Sequence, residues 1–186
     1  MTARIALTIT ASLILLSGCA PQPPAETSAP TVKPTVAALP TAEPQPDDTW
    51  SPPPTGEVVA ADELRARLPG YWTGDWGDIV FRIEDDGTVV GAYLWDEGMV
   101  IGKLVDDVLV GWWCEVPSRQ PDVDAGDVEM RLVQDGSGTH IDGRWSYGQA
   151  GGTWNDNWDI DAISEDEPPA DLVARLDRVT TECIPH

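Results

Sequence analysis

Turn signals recur every eight to twelve residues over the C-terminal two thirds of this chain of 186 residues. Short segments separated by such Asp- and Gly-containing turns are typical of an all-β sandwich or barrel. The turn signals are Asp85-Asp86-Gly87, Asp96-Glu97-Gly98, Asp106-Asp107, Asp135-Gly136 and Gly148 to Gly152. The strands are predicted near 71–76, 78–84, 88–95, 99–105, 108–115, 127–134, 139–147 and 153–160.

Several of these segments alternate between apolar and polar residues. One face of such a strand meets a core and the other meets water. The residues that this alternation predicts to face inward are Ile79, Phe81, Ile83, Val128, Met130, Leu132, Ile141, Gly143, Trp145, Tyr147, Trp154, Trp158 and Ile160.

A glycine followed two positions later by a bulky residue also recurs, as in Gly91-Ala92-Tyr93, Gly102-Lys103-Leu104, Gly111-Trp112-Trp113 and Gly143-Arg144-Trp145. Glycine lets a strand coil sharply and leaves room for a ring from the neighbouring strand. Repeated around a sheet, this unit favours closure. We therefore predict a small antiparallel up-and-down β-barrel of about eight strands, with a C-terminal helix packed outside.

The hairpin pattern resembles that of avidin-like and lipocalin-like up-and-down barrels. The stretch Trp72-Thr73-Gly74-Asp75-Trp76-Gly77, with its repeats up to Trp158, is also similar to a Gly/Trp-rich β domain of secreted bacterial proteins, over about residues 70–160. Both resemblances imply a fold. Neither brings a ligand motif or an activity to this chain.

The segment 108–115 is apolar on both faces, so its outer face requires a cover. A helix over about 168–180, with a stripe formed by Leu172, Leu176 and Val179, is the predicted cover. Cys114 lies on the same outer face and Cys183 follows the helix. We predict a disulfide between them, with two free thiols as the alternative. A short helix over about 60–68 is predicted to plug or cover one end of the barrel.

The N-terminus carries one basic residue, Arg4, and then an apolar run that ends in Leu16-Ser17-Gly18-Cys19. The run is too short to span a bilayer and fits the apolar region of a signal peptide. The tetrapeptide resembles the lipobox of bacterial lipoproteins. That resemblance implies acylation at Cys19 and cleavage before it, and hence a stable lipid anchor. An ordinary secretory signal with an unrelated cysteine is the alternative.

This resemblance implies three parts of the chain: a signal peptide (1–18), a lipidated cysteine with a tether (19–57) and a barrel domain (58–186). The tether holds 11 of the 17 prolines and is predicted to stay disordered and extended. The location implied is the bacterial cell envelope, with the domain outside the cytoplasm. The anchoring membrane is the outer membrane if the bacterium is Gram-negative and the cell membrane otherwise.

The chain has 32 acidic and 11 basic residues, a net charge of −21. Nucleic acids and anionic headgroups require lysine and arginine to replace counterions, so this balance opposes both as partners. Membrane lipid attached through Cys19 is the partner that the resemblance implies. An unidentified ligand or an envelope protein is the other expected partner.

Alternating carboxylates occur around Gly126, at Asp122, Asp124, Asp127 and Glu129. Carboxylate oxygens on such a loop can surround one hard cation, so calcium is the candidate metal. The spacing is not that of an EF-hand. A solvated acidic loop is the alternative, and no other cofactor is expected.

Nine tryptophans are the other candidate for a site, because their rings stack on sugars and line apolar cavities. Most alternate inward, which favours core packing. Trp95, beside a hairpin turn, and Tyr147, beside the Gly-rich turn, are the candidate ligand-binding residues at a barrel mouth. No catalytic motif is found, and no enzymatic activity is expected. A binding module for a small ligand, glycan or peptide is the favoured function, and a structural or interaction lipoprotein without a cavity is the alternative.

Overall fold

All five predicted turns separate neighbouring strands in the computed structural model, which describes residues 56–149 and 152–185. The predicted leader, Cys19 and the tether up to residue 55 lie outside the described residues. The strands are β1 (Glu57–Val58), β2 (Gly70–Gly74), β3 (Ile79–Ile83), β4 (Thr88–Tyr93), β5 (Met99–Val105), β6 (Val108–Cys114), β7 (Ala125–Asp135), β8 (Gly138–Trp145) and β9 (Asn155–Ile163). The helices are α1 (Ala61–Arg67), α2 (Ala170–Leu176) and α3 (Val179–Glu182).

Local chemistry explains where the strands end. In the β3–β4 turn, Gly87 has a φ of 82°, which an L side chain rarely adopts. The carboxylate of Asp86 accepts a hydrogen bond from the backbone N–H of Thr88 at 2.8 Å. Asp135 accepts one from the N–H of Ser137 at 2.7 Å in the β7–β8 turn. Aspartate side chains that bond to the backbone two residues on stabilise such reversals.

Strands β2 to β9 form a closed antiparallel barrel. Each strand pairs with the next one in the chain, and β9 pairs back with β2 through Trp72↔Ile163 and Thr73↔Ala162. The short β1 adds to β7 beside Val133 and Gln134. The predicted all-β, eight-stranded up-and-down barrel is therefore confirmed, with one additional strand.

The barrel interior is filled by apolar side chains, and one end is closed by α1. Leu64 and Leu68 are fully buried in the same core as Trp72, whose indole N–H donates to the carbonyl of Leu68 at 2.9 Å. The guanidinium of Arg67 bonds to Thr139, beside the β7–β8 turn. The predicted short helix thus plugs the barrel at this end, which we call the base.

A second core lies outside the barrel wall, where α2 and α3 cover β3, β4 and β5 and reach the outer face of β6. Leu172, Leu176 and Val179 pack there against Trp112 and Met99, as the apolar outer face of β6 predicted. Cys114 and Cys183 are joined by a disulfide, with their Cα atoms 5.8 Å apart, so the predicted bond is confirmed. No helix among the described residues is long and apolar enough to cross a bilayer.

Two predictions of detail are wrong. Trp154 does not face inward, because the β8–β9 register shifts by one residue between Gly143 and Trp145. A bulge of this kind moves the next side chains to the opposite face, and Trp154 stacks on Arg144 outside the wall, 4.4 Å from the guanidinium carbon to the ring centroid. The predicted single helix over 168–180 is interrupted at Asp177 and Arg178 and continues as α3.

Candidate functional site

The end of the barrel opposite the base carries a cluster of aromatic side chains. Successive connections of an up-and-down barrel alternate between its two ends. The β2–β3, β4–β5, β6–β7 and β8–β9 connections therefore lie together, at an end that we call the mouth. The aromatic cluster comprises Trp76, Trp95, Trp113, Trp145, Tyr147 and Trp158.

Trp145 lies at the centre of the aromatic cluster. Its ring centroid is 5.8 Å from that of Trp76, 5.4 Å from Trp113 and 5.1 Å from Tyr147, with interplanar angles of 76° to 84°. Near-perpendicular pairs place the positive edge of one ring against the negative face of another, and each pair contributes about 0.5–1.5 kcal/mol beyond the area that it buries. The rings therefore hold one another in place.

Hydrogen bonds fix three of the indoles further. Asn157 binds two of them: its backbone carbonyl accepts from Trp76 Nε1 at 2.9 Å, and its side-chain Oδ1 accepts from Trp145 Nε1 at 2.9 Å. The carbonyl of Ser146 accepts from Trp113 Nε1 at 3.1 Å. The bulge in β9 brings Asn157 to this position, so the same irregularity that displaces Trp154 also orients the mouth.

A cavity opens among these rings. It has about 270 Å³ of empty space continuous with solvent, and it is lined by Trp76, Trp113, Glu115, Trp145, Tyr147 and Trp158. Small-molecule sites are concave, mostly apolar and supplied with a few placed polar groups. The cavity has this composition and is open on one side to solvent.

Glu115 is the acidic residue of the cavity. It follows β6, and its Oε1 accepts a hydrogen bond from the Tyr93 hydroxyl at 2.7 Å. Burial raises the pKa of the Glu115 carboxyl, the Tyr93 hydrogen bond lowers it, and the charges of Asp96 and Asp124 raise it. Burial also raises the pKa of Tyr93 well above its usual value. Tyr93 therefore stays protonated and donates to the carboxylate.

Both residues predicted for the mouth lie there. Trp95 is 54% exposed and contacts Trp76 at a centroid distance of 6.0 Å, and Tyr147 is 46% exposed and lines the cavity. Glu115 and Asn157 also belong to the site, although neither was predicted from the sequence. Glu115 lies two positions after Trp113, so strand alternation predicts that its side chain faces the barrel interior at the end of β6. The sequence therefore contained a signal for this residue.

The four carboxylates predicted for calcium lie in different surroundings. Asp124 accepts hydrogen bonds from the backbone and hydroxyl of Ser118. Glu129, only 3% exposed, binds Arg144 on the outer face, with 2.6 Å between Oε2 and Nη2. Asp122 has a φ of 65° and places its carboxylate beside Gly148, and Asp127 lies on β7 opposite Trp112. Within residues 56–149 and 152–185, no group of three such side chains is arranged to hold a metal. Calcium stays a prediction.

The fold and the mouth together define a closed eight-stranded barrel with a plugged base and an aromatic opening. No protein-family model, no curated protein and no solved structure matches the chain.

Proposed function

We propose that this protein is a membrane-anchored extracytoplasmic lipoprotein whose barrel binds a small ligand, glycan or peptide at the mouth. The observation that carries the binding proposal is the cavity lined by four indoles, one phenol and one carboxylate, at the end opposite the plug. A cavity at a single open end of a small barrel gives a ligand one place to enter and be enclosed.

The preorganisation of the site supports binding. Ordering side chains upon association costs about 0.5–1.5 kcal/mol for each flexible side chain. Trp76, Trp113 and Trp145 are already held by hydrogen bonds and by one another. A ligand would therefore meet a rigid surface and retain most of its interaction energy.

Binding without chemical change of the ligand is the activity proposed. Among the lining residues, Glu115 and Tyr147 are the titratable ones. General acid–base or nucleophilic catalysis needs a second group positioned beside the first. The partner of Glu115 is the hydroxyl of Tyr93, which stays protonated.

An interaction lipoprotein that docks an envelope protein is the second candidate. The apolar side chains of Leu94, Trp95, Val123 and Tyr147 are exposed on connections at the mouth. Exposed apolar residues in such numbers at one end are a feature of protein contact sites. Loss of envelope-protein capture in a Val123→Asp variant that still binds small ligands would favour this candidate, because Val123 is exposed and does not line the cavity.

The ligand-binding proposal is tested by tryptophan fluorescence. We expect at least one member of a panel of sugars, short peptides and small amines to change the emission of the full-length protein saturably. A Tyr147→Ala variant removes one wall of the cavity and should raise the dissociation constant about tenfold, which equals about 1.4 kcal/mol. Trp154→Ala removes a ring from the outer wall and should leave the affinity unchanged. A wild-type protein that gives no saturable change, or a Tyr147→Ala variant with wild-type affinity, would contradict binding at the mouth.

The anchoring proposal is tested separately in a bacterial host. We expect the wild-type protein to enter the detergent phase on phase partitioning, and its first residue, Cys19, to carry the mass of a lipid. A Cys19→Ala variant should stay in the aqueous phase, because acylation requires the thiol. Wild-type protein that remains aqueous and lacks a lipid mass would refute the anchor and leave the binding site unaffected.

A further inference from the structure

We infer that the mouth recognises a small organic cation, a methylated or alkylated ammonium group, held against the aromatic cluster and Glu115. This inference rests on the proposed ligand-binding function and names the chemical class of the ligand. It follows from three features: the ring faces, the use of the indole N–H groups, and the acidity of the rim.

The ring faces supply the first argument. A cation over the face of an aromatic ring is attracted by the negative face of the ring quadrupole, most strongly for tryptophan. The ring plane of Trp145 makes an angle of 84° with that of Trp113 and 84° with that of Tyr147. Neighbouring walls of the cavity are therefore nearly perpendicular. Walls of this kind let one rounded cation contact more than one face at once.

The hydrogen-bond donors supply the second argument. Three of the four indoles that line the cavity already donate their N–H to protein oxygens: Trp76 and Trp145 to Asn157, and Trp113 to Ser146. Trp158 Nε1 and the Tyr147 hydroxyl are the remaining side-chain donors of the lining. A sugar or an anion needs several donors, because each of its buried oxygens must be satisfied. A methylated ammonium group needs none of them.

The charges supply the third argument. Glu115 is bonded through Oε1 to Tyr93, and its other oxygen has no hydrogen-bond partner among the described residues. Asp96 and Asp124 act on the same carboxylate and add negative potential. Arg119, whose charge lowers the pKa of Tyr93, is bonded to Glu182, with 3.0 Å between Nη2 and Oε2. A ligand cation at the mouth would therefore offset a negative charge that the protein compensates incompletely.

The experiment compares choline with 3,3-dimethyl-1-butanol, which has the same shape but carries a carbon atom in place of the charged nitrogen. Both are titrated into the full-length protein by calorimetry at constant ionic strength. Choline should bind at least tenfold more tightly than the neutral isostere. Glu115→Gln, which preserves size and removes the charge, should weaken choline binding at least fivefold and leave the isostere unchanged.

The matched control is Asp85→Asn, which removes one charge from the exposed β3–β4 turn at the base. Its affinity for choline should equal that of wild type, because only the local carboxylate is expected to matter. Glycerophosphocholine distinguishes the source of the group: tighter binding than choline indicates a lipid headgroup, and weaker binding indicates a free ammonium compound.

Four outcomes would overturn the inference. Equal affinity for choline and the isostere, or an unaltered affinity in Glu115→Gln, would show that charge has no role, while the binding function would remain. Binding of a methyl glucoside without binding of choline would also contradict recognition of a cation, but it would support ligand binding by the protein. If choline, the isostere, the glucoside and the wider panel all fail to bind at millimolar concentration, the inference and the proposed function fail together.

Discussion

Replacing both Cys114 and Cys183 by alanine is expected to lower the free energy of unfolding by about 4 kcal/mol. The two cysteines are 69 positions apart, and a bond that closes a loop of this length removes much of the freedom of the unfolded chain. The disulfide also joins the segment after α3 to β6, within the outer core formed by Trp112, Leu172 and Val179. Its loss should therefore loosen α2 and α3 before it opens the barrel.

Urea unfolding measures this effect. Tryptophan fluorescence reports unfolding of the barrel, and circular dichroism in the far ultraviolet reports loss of secondary structure in the whole chain. Reductant should lower the wild-type midpoint to that of the double variant and leave the double variant unchanged. Cys19 is retained in both proteins, so any anchor is the same. Coinciding midpoints for oxidised and reduced wild type would contradict a stabilising disulfide.

Gly126→Ala is expected to destabilise the protein by about 3 kcal/mol and to abolish ligand binding at the mouth. A Cβ atom at this position would lie 1.7 Å from the carbonyl oxygen of Ser146 and 2.9 Å from the backbone nitrogen of Gly148. Both are backbone atoms, so no side-chain rotation relieves the clash, and overpacking of this kind costs about 1–3 kcal/mol or more. The displaced segment includes Tyr147, one wall of the cavity.

The matched control is Gly136→Ala in the β7–β8 turn, where an added Cβ meets no atom within 4 Å. Surface substitutions of this kind usually change stability by less than about 0.5 kcal/mol. We expect wild-type unfolding and wild-type ligand affinity for this variant. A Gly126→Ala protein as stable as Gly136→Ala would show that the contact between β7 and the Ser146–Gly148 segment is not a tight one.

The strands and their order were predictable because their signals are local. A turn such as Asp85-Asp86-Gly87 reverses the backbone through its own side chain and its own glycine, so the reversal can be located from three residues. Alternation then assigns a face to each residue, as long as the register is unbroken. The disulfide was predictable for a similar reason. The apolar outer face of β6 required a covering helix, Cys114 lies on that face, and Cys183 follows the predicted helix.

The irregular features were not predictable, because they depend on which residues meet across the fold. The register shift in β9 turns Trp154 outward and brings Asn157 under Trp76 and Trp145. Nothing local distinguishes this segment from a regular strand. The partner of Glu129 is Arg144, on the neighbouring strand. A carboxylate that resembled a cation ligand in the sequence therefore belongs to a buried ion pair.

The position of the disulfide bears on the compartment in which the proposed binding site can form. Cys114 directly precedes Glu115, so the covalent bond and the acid of the proposed site occupy adjacent positions at the end of β6. A compartment that keeps thiols reduced would leave this strand end untied. If the protein is exported and binds ammonium ligands at the mouth, as we propose, oxidation after export would serve as a maturation step, and freshly synthesised chains would bind such ligands poorly in the cytoplasm.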